Sequence, residues 1–156
     1  MAINDIKVPR WNYFSSQASL FEVHGFADTS KNAYGAANYL RVVQGDQTYV
    51  TMQTAKSKSA PIKWEGIPRL ELSAAHLLAR LTQHYVSKLR HEPASVRLWT
   101  DAKIVLCWLS KTPSTWERFV ANRCSSIHEL VPKGRWHHVK SKQNSADIVS
   151  RGCTAF

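Results

Sequence analysis

From residue 21 the chain alternates apolar and polar side chains with a period of two, after residues 1–18, which carry little periodicity and read as a linker or extension. Phe21, Val23 and Ala27 fall on one face of an extended segment; Glu22, His24, Phe26 and Asp28 fall on the other. That pattern predicts a strand over 21–28. Thr29–Asn32 then make a turn, and 34–43 is a second strand rich in aromatic and branched residues. Gln44-Gly45-Asp46-Gln47 is a hairpin signal and leads into a third strand over 48–55. Three such strands in succession predict an antiparallel meander. Residues 56–67, with Pro61, Gly66 and three lysines, read as a loop.

The period then changes. Leu70, Ala74, Leu77, Leu78, Leu81, Tyr85 and Leu89 recur three and four apart, which predicts a long helix opened by Pro68. Residues 96–100 are a fourth strand, 102–110 a short helix stopped before Pro113, and 114–130 another helix. A fifth strand follows over 135–140, and Asn144 starts a short last helix ending near Gly152. The order β-β-β-α-β-α-α-β-α predicts an α/β fold with a five-stranded mixed sheet flanked by helices. The expected division is an extension over 1–18 and one domain over 19–156.

Composition narrows the partners. Twenty-one Lys and Arg against eleven Asp and Glu give a net charge of +10 and a pI near 9.8. Such a surface attracts polyanions, because each phosphate contact releases condensed counterions. No long basic amphipathic helix points to a lipid surface, and no apolar run is long enough for a membrane span. The first twenty residues lack a signal-peptide pattern, so the expectation is an intracellular protein. Cys107, Cys124 and Cys153 are odd in number and widely spaced, with no CxxC pair.

Against this basic background four acids stand out. Asp28 ends the first strand and Asp101 ends the fourth; Glu71 lies in the first turn of the long helix, and Asp147 follows Asn144 by three residues. Each has a plain structural explanation: an Asx turn for Asp28, a helix N-cap for Asp101, and a favourable dipole position for Glu71 and for Asp147 behind an Asn144 cap. Their combination says more. If the first and fourth strands lie side by side and parallel, both aspartates stand at one sheet edge, where ligands of open α/β sheets bind. Ala75 and Leu78 place Glu71 toward a partly buried helix face, a costly position for a lone charge. Clustered carboxylates call for hard divalent cations, Mg²⁺ or Mn²⁺. Two such ions about 4 Å apart can activate water at a phosphodiester.

Residues 24–30 (HGFADTS), 55–63 (AKSKSAPIK), 67–72 (IPRLEL), 98–109 (LWTDAKIVLCWL), 119–123 (FVANR) and 144–152 (NSADIVSRG) carry a resemblance. In that order and spacing the chain resembles the ribonuclease H domain of retroelement reverse transcriptases, most of all the BEL/Pao retrotransposon branch, over residues 22–153. The resemblance implies that Asp28, Glu71, Asp101 and Asp147 hold two Mg²⁺ ions, with Mn²⁺ as a substitute. It assigns Asp28 to both ions, Asp147 to the ion that activates water, and Glu71 with Asp101 to the ion near the leaving 3′ oxygen. It implies endonucleolytic hydrolysis of RNA in an RNA–DNA hybrid, leaving 3′-hydroxyl and 5′-phosphate ends, beside a polymerase domain of a parent polyprotein in a cytoplasmic retroelement particle. One departure is visible. Many relatives carry a loop histidine before the fourth acid, whereas residues 140–146 (KSKQNSA) have none.

Lys103, Lys111, Arg118, Asn122, Arg123 and Lys142 are the candidate substrate contacts, and lysines of 56–63 can steer a polyanion. Trp108 and Trp116 offer flat surfaces, although Trp108 has the spacing of a core residue. His137 and His138 read as surface residues of the fifth strand. Two other functions share these features: a ribonuclease H-fold module that binds nucleic acid without cutting it, and a transposase or integrase core. The latter sets place their glutamate after the second aspartate, whereas Glu71 precedes Asp101.

Overall fold

The computed structural model describes residues 20–63 and 65–152. The expected extension over 1–18 lies outside them, as does Cys153. Five strands form one sheet in the order β3-β2-β1-β4-β5. Strands β1 (Leu20–Thr29), β2 (Ala33–Gln44) and β3 (Gln47–Ser59) are the antiparallel meander, β1 pairing with β2 and β2 with β3. Strand β4 (Ser95–Thr100) runs parallel to β1, and β5 (Trp136–His138) runs parallel to β4. The sheet is therefore mixed, as the element order predicts.

Helix α1 (Ile67–Val86) lies on the sheet. It buries Leu72, Ala75, Leu78 and Ala79 against Val23, Leu40, Val42 and Leu98. Helix α2 (Lys103–Ser110) and helix α3 (Arg118–Leu130) extend that core through Val105, Leu109, Val120, Cys124 and Ile127. Helix α4 (Asp147–Arg151) packs on β1 and β2. Gly25 marks the closest approach of helix and sheet. A Cβ there would meet Asn38 Oδ1 and Leu78 Cδ1 at 2.7 Å and Leu98 Cδ2 at 2.8 Å.

Several boundaries differ from the sequence reading. Residues 56–59 are not loop but the end of β3, paired from Lys56↔Ala36 to Ser59↔Ala33. This is an edge strand, so Lys56 and Lys58 stay exposed and show no buried alternation. Helix α1 stops at Val86; Lys88 and Leu89 donate to Tyr85 and Val86 carbonyls in a closing turn, and Leu89 packs on the core from there. Helix α3 starts at Arg118, after a 3-10 turn over Pro113–Thr115. Strand β5 is cut to three residues by 3-10 turns at Lys133–Arg135 and Ser141–Gln143. Among the described residues no helix is long and apolar enough to cross a membrane.

Candidate active site

The parallel pairing of β1 with β4 sets the site. Ala27 sits opposite Thr100, so the next residues, Asp28 and Asp101, leave adjacent strands at the same end. Neither acid has the plain role open to it. Asp28 is inside β1, opposite Gly35, and the turn after it is closed by Ser30, whose Oγ accepts from the Asn32 and Ala33 amides. Ala102, not Asp101, is the N-cap of α2, with no side-chain cap bond. The Ala102 amide donates to Thr100 Oγ1 at 3.2 Å.

Glu71 is the fifth residue of α1 and so lies in the second turn, past the free amides of the first. It is half-buried. Asp147 opens α4, and Ala146 rather than Asn144 is that helix's N-cap. Asn144 does other work: it is buried, and its Nδ2 donates to the Ala27 carbonyl at 2.9 Å and to Asp28 Oδ1 at 3.3 Å, with a long 3.5 Å contact to Asp101 Oδ1. From α4, Ser150 Oγ donates to Asp28 Oδ2. The two oxygens of Asp28 are thus oriented by different donors. Sequence reasoning missed both donors. The available signal was spacing: Ser150 lies three residues after Asp147 on the same helix face.

The electrostatics register the crowding. Burial, then the charges of Asp101 and Asp147, push the Asp28 carboxyl up. Burial, then Asp101 and Asp28, push Glu71 up to about 7. Asp28 thus lies in the fields of Asp101, Asp147 and Glu71, and Glu71 in that of Asp101 as well. The one cation paired with any of them among the described residues is Arg151, whose Nε is 2.7 Å from Asp147 Oδ1.

The donor set is all oxygen, anionic and under-neutralised, which suits a hard divalent cation. As they stand, no three His, Cys, Asp or Glu side chains among the described residues are close enough to share one ion. A divalent cation placed there would offset the repulsion that, with burial, pushes the Asp28 and Glu71 carboxyls up.

The candidate substrate contacts divide. Lys103, Arg118, Asn122 and Lys142 are exposed, and Lys111 Nζ lies over the Trp116 ring at 5.4 Å. Arg123 is partly buried and stacks on Phe119 at 5.3 Å. Trp108 packs against the core, and Trp116 Nε1 donates to its carbonyl at 3.1 Å. Both tryptophans line a cavity of about 520 Å³ with Gly66, Pro68, Arg69 and Glu117. His137 lies 5.1 Å from Trp99 on the opposite sheet face. In place of a loop histidine, the chain between β5 and α4 makes the 3-10 turn at Ser141–Gln143.

A five-stranded sheet of this order, with acids at the carboxyl ends of its parallel pair, is a ribonuclease H-like architecture. The N-terminal RNase H domain of rv2228c from Mycobacterium tuberculosis has this fold: 11% identity, 85% of this chain and 90% of that one covered, TM-score 0.51. RNase H1 from the halophilic archaeon Halobacterium salinarum aligns over 80% of this chain and 88% of its own at 15% identity, TM-score 0.47. LC11-RNase H1, solved with an RNA/DNA hybrid, covers the same shares at 12% identity and a TM-score of 0.49. No curated protein matches the chain. The family is given by sequence: the chain belongs to the Pao retrotransposon-like RNaseH-like domain family, whose model matches residues 1–102. That span includes Asp28, Glu71 and Asp101; Asp147 lies beyond it.

Proposed function

We propose that the chain is an endoribonuclease that hydrolyses the RNA strand of an RNA–DNA hybrid during retroelement reverse transcription. The observation that supports this reading is the influence of Asp101, Asp147 and Glu71 on one another through Asp28 at one end of the sheet, with the Asp28 and Glu71 carboxyls pushed up. Family membership supports the retroelement setting. On this reading 19–156 is the catalytic domain. Its partners are the hybrid and a polymerase domain of the parent polyprotein, in a particle inside the cell.

The four carboxylates would hold two Mg²⁺ ions, and such ions supply an activated water and stabilise the departing oxygen. The chain's own residues prepare the place. Asn144 and Ser150 fix the plane of the Asp28 carboxylate. Asn144 also fastens the segment before α4 to the end of β1 through the Ala27 carbonyl, which keeps Asp147 beside Asp28. Releasing Asp147 from Arg151 frees its carboxylate for a cation.

The test is cleavage of a labelled hybrid in Mg²⁺. The native chain is expected to cut only the RNA strand, leaving 3′-hydroxyl ends. Asp28→Asn should lose at least about a hundredfold in rate, as removal of an electrostatic catalytic group does, while binding persists. A second reading, a binding module that does not cut, draws on the Arg151–Asp147 ion pair. Hybrid binding by the native chain with no cleavage in Mg²⁺ or Mn²⁺ decides for it.

A further inference from the structure

The two faces of the sheet are covered unequally. Helices α1, α2 and α3 build the core on the face of Val23, Leu40, Val42 and Leu98. The register of the strands puts Leu20 of β1, Tyr39 and Val43 of β2, Val50 and Met52 of β3 and Trp99 of β4 on the other face. Helix α4 covers the carboxyl end of that face, where Val149 lies over Gly35 and Tyr39 Oη donates to the Ser145 carbonyl at 3.5 Å. Away from α4, Leu20, Val50 and Met52 are 53, 60 and 55% exposed. The outward face of an antiparallel meander is ordinarily polar. Here Leu20 pairs with Val43, and Val50 and Met52 follow on the same side of the neighbouring strand, so the apolar surface is continuous. A patch of that kind marks a surface that something else covers.

Nucleic acid suits this face poorly, because it needs free ring faces and free cations. Trp99 is stacked on His24 and Phe26, with centroids 6.1 and 6.3 Å apart. Arg41 and Arg97, on the same face, pair with Glu22 at 2.8 and 3.6 Å.

The chain itself supplies a better occupant. Residues 1–19 join the sheet at Leu20, at the open end of this face. They carry Ile3, Ile6, Val8, Trp11, Tyr13 and Phe14. Ser15-Ser16-Gln17-Ala18-Ser19, between the aromatic residues and Leu20, is a short run of small and polar residues of the kind found where a chain reverses. The family model begins its match at residue 1, so this stretch belongs to the same family unit as β1 to β4. The reach also fits. Met52 pairs with Tyr39 and Tyr39 with His24, so Met52 lies two strands across and four residues along from Leu20. At ordinary strand spacings that is roughly 16 Å. The six steps of chain from Leu20 back to Phe14 span up to roughly 20 Å. We propose that the segment Trp11–Phe14 folds back over the outer face of the sheet and packs its aromatic side chains on Leu20, Val50 and Met52, closing a second, smaller core. The inference does not rest on the nuclease reading.

Met52 reports on this cover, because oxidation of its sulfur by peroxide follows exposure. The full chain is treated with hydrogen peroxide, and the Met52 sulfoxide is followed by peptide mass spectrometry. A cover in place about nine-tenths of the time makes Met52 react about tenfold slower than in an unstructured peptide of the same local sequence. The triple variant Trp11→Ala/Tyr13→Ala/Phe14→Ala should recover the fast rate and melt lower by roughly 2–4 °C or more. Ile62→Ala, at a fully exposed residue beyond β3, is the control and should change neither. The three single substitutions are read as well, and at least one should speed Met52 oxidation while the circular dichroism stays native. Met52 oxidising at the peptide rate in the native chain overturns the proposal without reference to any variant. So does protection that survives all of these substitutions. Protection that grows with protein concentration, alongside a dimer in light scattering, also overturns it and assigns the face to a second copy of the chain.

Discussion

Glu71 is half-buried, faces Asp101 and Asp28, and pairs with no cation among the described residues. Its folded-state pKa, about 7, lies above the ordinary 4.5. Protonation therefore favours the fold. The contribution is complete below the unfolded pKa of 4.5 and is lost as the pH rises through 7. In chelator, Glu71→Gln should stabilise the chain at pH 8 by roughly 1 kcal/mol, or about 2–4 °C in melting temperature for a chain of this size. At pH 4.5 the gain should vanish, because the native carboxyl is already neutral there. Melting curves of both chains across that range decide it; an equal gain at both ends would show that packing, not charge, sets the effect. At Asp28 the balance differs, since Ser150 and Asn144 donate to its oxygens and partly offset burial.

At the scale of elements, the short helix α4 matters out of proportion to its length, because it brings both Asp147 and Ser150 to Asp28. It comes down on the sheet where β2 has a glycine. Gly35 stands opposite Asp28, and a Cβ there would lie 2.6 Å from Val149 Cγ1 and 3.1 Å from the Val149 carbonyl carbon. The second of these is backbone, so α4 itself must shift. Gly35→Ala is expected to cost about 1–3 kcal/mol, the usual range for overpacking. It should also lower hybrid cleavage by tenfold or more in chain that remains folded, as small misplacements of catalytic groups do. Thermal melting and single-turnover cleavage on the same sample check this. Activity that falls only with the folded fraction would contradict it.

The elements also show what the sequence could and could not tell. Period-two alternation in β1 and period 3.6 in α1 were legible because one face of each is buried, with Val23 and Ala27 in the first and Leu72 and Leu78 in the second. The end of β3 was not, because Lys56–Ser59 pair at an edge and face solvent on both sides. The acids were visible as positions, Asp28 and Asp101 at strand ends and Glu71 and Asp147 near helix starts. Their distances were not, since those depend on the β1–β4 register and on Asn144 reaching the Ala27 carbonyl, a bond between residues 117 apart in sequence.

Over the whole molecule the charge is arranged in two signs. The chain is +10 overall, yet four of its eleven acids lie toward one end of the sheet. On the proposed reading, a polyanion drawn in by the basic surface would meet the acids only if cations bridge the two, which would couple substrate and metal binding. That coupling depends on Asp28, Glu71, Asp101 and Asp147 acting together as one divalent-ion site. Anomalous diffraction from crystals of the chain grown in Mn²⁺ measures this directly. Manganese peaks are expected with oxygens of Asp28 and of at least one other of these acids at about 2.1 Å, the distance of a hard divalent ion. Fully occupied crystals with no manganese at this end of the sheet, or with manganese held by acids elsewhere, would contradict it.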